Sequence, residues 1–280
     1  MRVLLLSAYA AQSHRYWAAG LKEMCPDWQW QVLALPPRHF SWRVRGNPLY
    51  WALAERSLLE RGYDLVVATS MVDLATLRGL VPALASVPAV LYFHENQFSY
   101  PQHRQQHSLL EAQMVSLYSA LAARRILFNS RYNRDTFLAG CGALLDRLPD
   151  RVPAGIVERL SGKAMVLPVP LMAPDCDDMS PWWPGRPGKP GQRPLRLLWS
   201  ARFEYDKGGE GLQQILGLLE QRPLDYELAL TGQQFRNSPG VFREIQCEFS
   251  HRLVQFGFVE SALRFRALQA GADMVLSTAR

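Results

Sequence analysis

The sequence predicts an α/β protein of two Rossmann-like units, each built on a parallel sheet, the second unit incomplete. Two observations carry that expectation. Short apolar runs rich in branched residues alternate with longer segments of helical spacing, the pattern of strands covered on both faces by crossover helices. The alternation stops in a stretch dense in proline and glycine, residues 171–193, and restarts after it. Proline fixes φ and lacks an N–H, so such a stretch continues neither a helix nor a central strand. The expected organisation is an N-terminal domain over 1–170, a linker over 171–193 and a C-terminal domain over 194–280.

Taken in order, the first unit opens with a strand at Val3–Ser7, a polar turn and a helix entered near Ser13. A strand follows at Gln31–Leu35. Residues 36–48, rich in Pro, Arg and Trp, read as a long loop at the active edge, and Leu49–Arg61 suits a helix. Strands are expected at Leu65–Thr69, Ala89–Phe93, Arg125–Phe128 and Ala164–Pro168. Helices fall at Asp73–Leu80, Ser108–Ala123 and Asn133–Cys141, and Leu148–Leu160 reads as an inserted loop without a role. In the second unit the strands are Leu195–Ser200, Tyr226–Thr231, Leu253–Phe256 and Met274–Ser277. Helices lie at Glu210–Leu219, Phe242–Phe249 and Ser261–Ala270. The last strand has no return helix, so this unit reads as cut short or completed by another chain. A loop expected to line a site beyond the strand ends is missing with it.

Composition narrows the function classes. With 48% hydrophobic and 20% charged residues, a disordered chain is excluded. No apolar run approaches the length of a membrane span. The N-terminal MRVLLLSAYAAQSHRYW looks superficially like a signal peptide, but no cleavage site follows; a buried first strand in a cytoplasmic protein is the expectation. Cys25, Cys141, Cys176 and Cys247 lack disulfide or zinc spacing. Up to Asp175 there are 18 basic and 13 acidic residues, and beyond it 13 and 12, so an anionic partner is expected at the first half.

Residues able to do chemistry cluster where strands end. The turn Ser7–Arg15 lacks the GxGxxG of dinucleotide binding, yet Ser13 and His14 at a helix start are placed to meet a polar substrate. Capping by Ser13 with a surface His14 is the alternative. His94-Glu95-Asn96-Gln97 directly follows an apolar strand, where α/β proteins place their sites, and offers donors and acceptors for hydroxyl groups. Asp73 either joins the same crevice or caps the next helix. Trp42-Arg43-Val44-Arg45 alternates aromatic and basic residues, as a surface that stacks bases and pairs phosphates does, or as a packed tryptophan with solvent arginines. Asn129 and Ser130 either cap or line the cleft. In the second unit, Arg202 and Lys207 of Arg202-Phe-Glu-Tyr-Asp-Lys-Gly208 suit a diphosphate, by fork and by point charge, with surface ion pairing to Glu204 and Asp206 as the alternative.

The sequence resembles the tRNA-queuosine alpha-mannosyltransferase family of glycosyltransferase 4-like proteins. The likeness runs through the Ser13-His14 loop, HFSWRVRG (39–46), Thr69–Leu74, YFHENQFSYP (92–101) and FNSRYN (128–133). It continues through ARFEYDKG (201–208), TGQQF (231–235), FGFVES (256–261) and ADMVLSTA (272–279). The resemblance implies a GT-B architecture, with two Rossmann-like domains facing across a cleft, and mannose transfer from GDP-mannose to queuosine in tRNA. It implies His94, Arg202 and Lys207 as catalytic, and Arg202, Glu204, Lys207, Gly232 and Gln234 at the nucleotide-sugar donor. Ser13, His14, Trp42, Arg43, Asp73, Glu95, Asn96 and Gln97 fall on the acceptor side. It further implies retention by front-side attack without a metal or other cofactor; Asp177-Asp178 is no convincing metal site. A His-Glu loop and helix that follow the STA segment in the family are not in this sequence. Another nucleotide sugar or a non-tRNA acceptor stays open, as does an inactive nucleotide- or RNA-binding fragment.

Overall fold

In a computed structural model, which describes residues 1–99, 109–171, 180–236 and 238–279, the apolar runs pair into two all-parallel sheets. The chain divides into two units, Met1–Met172 and Ala173–Arg280. Asp177, Asp178, Cys176 and the Tyr100-Pro101 end of the FHENQ run lie outside the described residues. No helix among the described residues is long and apolar enough to cross a membrane.

The first unit runs β1 (Arg2–Ser7), α1 (Gln12–Met24), β2 (Gln29–Ala34), α2 (Phe40–Ala54), α3 (Arg56–Leu59), β3 (Leu65–Thr69) and α4 (Leu74–Leu80). It continues with β4 (Ala89–Phe93), α5 (Leu110–Ala122), β5 (Arg125–Phe128), α6 (Arg131–Leu145), α7 (Ile156–Ser161) and β6 (Ala164–Val166). Sheet order is β2-β1-β3-β4-β5-β6. Successive side chains of a strand point to opposite faces. Leu4 and Leu6 accordingly enter one core with Val66, Ala68, Leu91 and Phe93, while Val3 and Leu5 enter another with Trp17, Val67 and Tyr92. Registers Leu6↔Ala68 and Thr69↔Tyr92 bring the ends of β1, β3 and β4 level with one another.

The second unit runs β7 (Leu195–Ser200), α8 (Gly209–Glu220), β8 (Tyr226–Thr231), α9 (Val241–Glu248), β9 (Leu253–Gly257), α10 (Ala262–Gly271) and β10 (Met274–Leu276), in the order β10-β7-β8-β9. Leu212 and Leu216 of α8 and Phe242 and Ile245 of α9 pack with Trp199, Leu228 and Leu230. On another patch Leu198 and Ala229 meet Leu268 of α10 and Trp183. Trp183 comes from the stretch expected to be linker. Its indole donates to Glu227 Oε2 (2.9 Å), and the Arg186 N–H donates to Glu227 Oε1 (2.9 Å). From Trp182 onward, the Pro/Gly-rich chain is therefore a covering layer of the second sheet, because its tryptophans supply apolar area that α10 does not.

Two expectations for the first unit are corrected. Ile156–Ser161, overlapping the expected loop 148–160, is helical, with Leu160 buried in the core. Residues 36–48 are not a long loop either: α2 begins at Phe40 and passes straight through Pro48. Proline within a helix leaves the carbonyl of residue i−4 without its donor. Here that carbonyl is Val44's, and the fully buried Asn47 donates to it from Nδ2 (3.0 Å) as well as to the Arg43 carbonyl (2.7 Å). The same amide donates to the Met71 carbonyl (3.1 Å), and Asn47 Oδ1 accepts from the Asp73 N–H (3.2 Å). One side chain thus repairs the proline and fastens α2 to the end of β3. Asn47→Ala should lower the stability of the first unit by about 2–4 kcal/mol in urea unfolding, since it orphans several buried groups. A loss below about 0.5 kcal/mol would contradict the repair.

Candidate active site

In the first unit the site is built where β4 ends. The last strand carbonyls have no further sheet partner, and two amides supply one. Phe93 O accepts from Asn133 Nδ2 (3.0 Å) and from the Asn129 N–H (3.2 Å), and His94 O accepts from Asn129 Nδ2 (2.6 Å). Asn96 completes the turn: its Nδ2 donates to Asn133 Oδ1 (2.7 Å), and its Oδ1 accepts from the N–H groups of Phe98 (3.0 Å) and Ser99 (3.2 Å). Asn96 is 1% exposed, so its amide folds the loop and is not free for an acceptor. Ser130 caps α6 through the Asn133 N–H (3.1 Å).

That turn places His94 among rings. His14 stacks on it (centroids 4.0 Å, 23°), while Trp17 (4.9 Å, 87°) and Tyr92 (4.8 Å, 61°) meet it edge-on. His14 is 4% exposed rather than on the surface; its Nδ1 lies 2.6 Å from the Tyr9 carbonyl and its Nε2 lies 3.5 Å from Glu95 Oε2. Ser13 is exposed and is not the cap of α1, which is Ala11 without a side-chain hydrogen bond. Burial, with His14 adding to it, pushes His94 down to about 2, so the ring is neutral at physiological pH. Among the described residues His94 Nε2 has no hydrogen-bond partner, and neither do the buried hydroxyls of Ser7, Thr69 and Ser70 at the ends of β1 and β3. Such orphaned groups are rare in interiors and mark unspent hydrogen-bonding capacity.

Other expected residues have contacts of their own. Asp73 caps α4 through the Thr76 N–H (3.1 Å) and pairs with Arg45 (2.7 Å), which also meets Glu111 (3.2 Å); at 2% exposure its carboxylate is committed to the fold. Trp42 and Arg43 stand on α2. Trp42 is 57% exposed and lies flat over Gly46, where any Cβ would collide with the indole. Gln97 is buried, its carbonyl accepting from Gln113 Nε2 (3.1 Å).

In the second unit, Phe203 holds the loop after β7. It is fully buried, stacked on Phe242 (4.5 Å, 11°) and close to Phe256 (5.3 Å). The charged residues on either side form local pairs, Arg202 with Glu204 (3.0 Å) and Lys207 with Asp206 (2.6 Å). Burial raises the Glu204 carboxyl above the usual range, partly offset by Arg202. Thr278, which sequence reasoning did not single out, ties the loop down: it accepts from Trp199 Nε1 (2.9 Å) and donates to the Lys207 carbonyl (2.9 Å). Gly208 turns the chain into α8 at φ +66°, with no room for a Cβ beside Thr278 O. Gly232 lies against the Ala201 carbonyl as closely, whereas Gln234 is exposed. The signal for Thr278 was its place one loop across the sheet from Lys207, visible only with strand order.

Two all-parallel sheets, each with a polar cluster at its carboxyl ends, are the architecture found in the GT-B fold of solved glycosyltransferases. Solved structures agree: a trehalose-6-phosphate synthase studied for glycosyltransfer with retention matches at TM-score 0.61 and 13% identity, over 100% of this chain and 78% of that one. The apo form of the lipopolysaccharide outer core galactosyltransferase WaaB matches at TM-score 0.51 and 11% identity, over 100% of this chain and 74% of that one. At such identities the likeness is one of fold. Residues 2–171 match the family model described as tRNA-queuosine alpha-mannosyltransferase N-terminal, and the chain belongs to that family. It is a glycosyltransferase. A Drosophila melanogaster tRNA-queuosine alpha-mannosyltransferase is 29% identical over 279 residues, covering 99% of this chain and 73% of the relative.

The depressed His94 gives a stability test. Unfolded, a histidine takes a proton near pH 6.5, but folded it does not until about 2. Stability from the neutral ring is therefore complete above pH 6.5 and is lost as pH falls below it. Between pH 7 and pH 5 the first unit should lose about 1–2 kcal/mol in urea unfolding, and His94→Phe should remove most of that slope. An unchanged slope would show that His94 is not held neutral.

Proposed function

We propose that this protein transfers mannose from GDP-mannose to the queuosine nucleoside of tRNA, with retention of configuration. The observation that carries the reading is the family match over residues 2–171, joined to a neutral His94 at one strand end and the Arg202/Lys207 pair at another. The second unit takes the nucleotide sugar. Its diphosphate replaces Glu204 and Asp206 as partner of Arg202 and Lys207, and two cations offset the charge that grows on the departing GDP. Gly208 and Gly232 let the loop after β7 pack closely against Thr278 and Ala201, and Gln234 stands exposed for the donor.

The first unit takes the acceptor. His94 cannot act as a titrating base with so low a proton affinity; it serves as a neutral hydrogen-bonding group toward the transferred sugar. The acceptor hydroxyl attacks the anomeric carbon on the face that GDP leaves. Its proton passes to the departing phosphate oxygen, so the reaction calls for no protein base. Glu95, 40% exposed, accepts from substrate hydroxyls. Trp42 with Arg43, beside the exposed Leu49, Tyr50 and Leu53 of α2, offers an aromatic and basic face suited to unpaired RNA bases. A tRNA substrate and a soluble nucleotide sugar place the work in the cytoplasm.

The test is incubation of the protein with queuosine-containing tRNA and a panel of GDP- and UDP-sugars, read as nucleoside mass after digestion. A hexose added to queuosine from GDP-mannose alone is the expected result. Addition from a UDP-sugar would redirect the donor assignment, and no addition from any sugar would overturn the reading. Lys207→Ala should weaken GDP-mannose binding at least tenfold and leave tRNA binding within twofold. Trp42→Ala should do the reverse, and equal losses in both variants would contradict the division of labour.

A further inference from the structure

We propose that His14 is a positioning residue that fixes the ring plane of His94, and that the Tyr9 carbonyl holds His14 in that task. The catalytic consequence rests on the transferase reading above; the ring arrangement does not. A carbonyl oxygen only accepts, so His14 Nδ1, 2.6 Å from Tyr9 O, carries a proton. That leaves Nε2 facing Glu95 Oε2 at 3.5 Å, and the imidazole is anchored through Nδ1. A ring held so is a fixed floor, and His94 lies on it at 4.0 Å and 23°. Trp17, three residues on from His14 in α1, closes a second side, and Tyr92 of β4 a third.

This arrangement leaves His14 little to offer a substrate. It is 4% exposed, and both nitrogens have neighbours within the unit. His94, in contrast, keeps an Nε2 without a partner. Among the described residues the titratable groups that meet the stacked pair are Glu95 from the loop and Tyr92 from the strand. Tyr92 is pushed up to about 12 by burial, and its hydroxyl donates to the Leu167 carbonyl (2.9 Å), so it stays neutral. Two stacked imidazolium rings would repel, and His94 stays the uncharged member.

The test uses the whole chain labelled with ¹⁵N-histidine. Long-range proton–nitrogen spectra from pH 5 to pH 8 should show His94 neutral and His14 protonated at Nδ1. In His14→Ala the His94 signals should shift with pH as an ordinary imidazole does. His14→Phe restores the flat ring and should return His94 to a neutral state, and it also serves should the alanine variant fail to fold. In the transfer assay, His14→Ala should lower kcat about 10–100-fold with acceptor KM within twofold, and His14→Phe should recover part of kcat. Unchanged His94 spectra in both variants would overturn the proposal. So would a rise in acceptor KM with kcat intact, which would make His14 an acceptor contact. If the wild-type protein transfers no sugar, the functional reading fails, and the spectra alone decide the role of His14.

Discussion

Both sheets grow to one side of their first strand and then jump to the other, and the chemistry collects where they do so. In the first unit, β2 lies on one flank of β1 and β3 on the other; in the second, β8 and β10 flank β7. At such a switch point the connections leaving adjacent strand ends diverge in opposite directions, and a crevice for a ligand opens between them. His14 stands in the first turn of α1 after β1, Ser70 and His94 follow β3 and β4, and the loops after β7 and β10 carry Lys207 and Thr278. Parallel strands also leave their last carbonyls unpaired, and each unit answers with side chains. Asn129 and Asn133 close the end of β4, and Thr278 closes the loop after β7. Those few hydrogen bonds decide where His94 and Lys207 stand.

The two clusters differ in electrostatic character. The one at His94 is aromatic, buried and neutral, with hydroxyl groups left unpartnered around it. It suits sugar hydroxyls, which need direction more than charge. The other holds two cations in short pairs with carboxylates on their own loop. Such partly exposed pairs contribute little to stability. A diphosphate, carrying more negative charge in a compact group, can take both cations from their local partners. The loop pairs then keep the site balanced without a ligand while leaving it exchangeable.

Strands were readable from the sequence because branched apolar runs in parallel sheets have few alternatives: Leu65–Thr69, Ala89–Phe93 and Tyr226–Thr231 coincide with β3, β4 and β8. The helix across 40–48 was hidden, since Pro48 argues against it and the amide of Asn47 that restores it works only in three dimensions. Trp182 and Trp183 were hidden for a similar reason, as prolines around them signal a linker while the indoles complete a core. At the site, position was legible and role was not. The residues after β4 were found by the rule of strand ends, but that Asn96 folds the loop, Asp73 caps a helix and His14 supports another ring depends on contacts across elements. Resemblance to the family supplied the chemistry that spacing left undecided.

The central claim is that the second unit grips a sugar nucleotide by its diphosphate. Equilibrium titration of the protein with GDP-mannose, without tRNA, tests it directly. Saturable binding that weakens steeply with added salt, is displaced by GDP and is indifferent to guanosine is the predicted result. Binding of guanosine as tight as that of GDP-mannose, or affinity that salt does not touch, would contradict it.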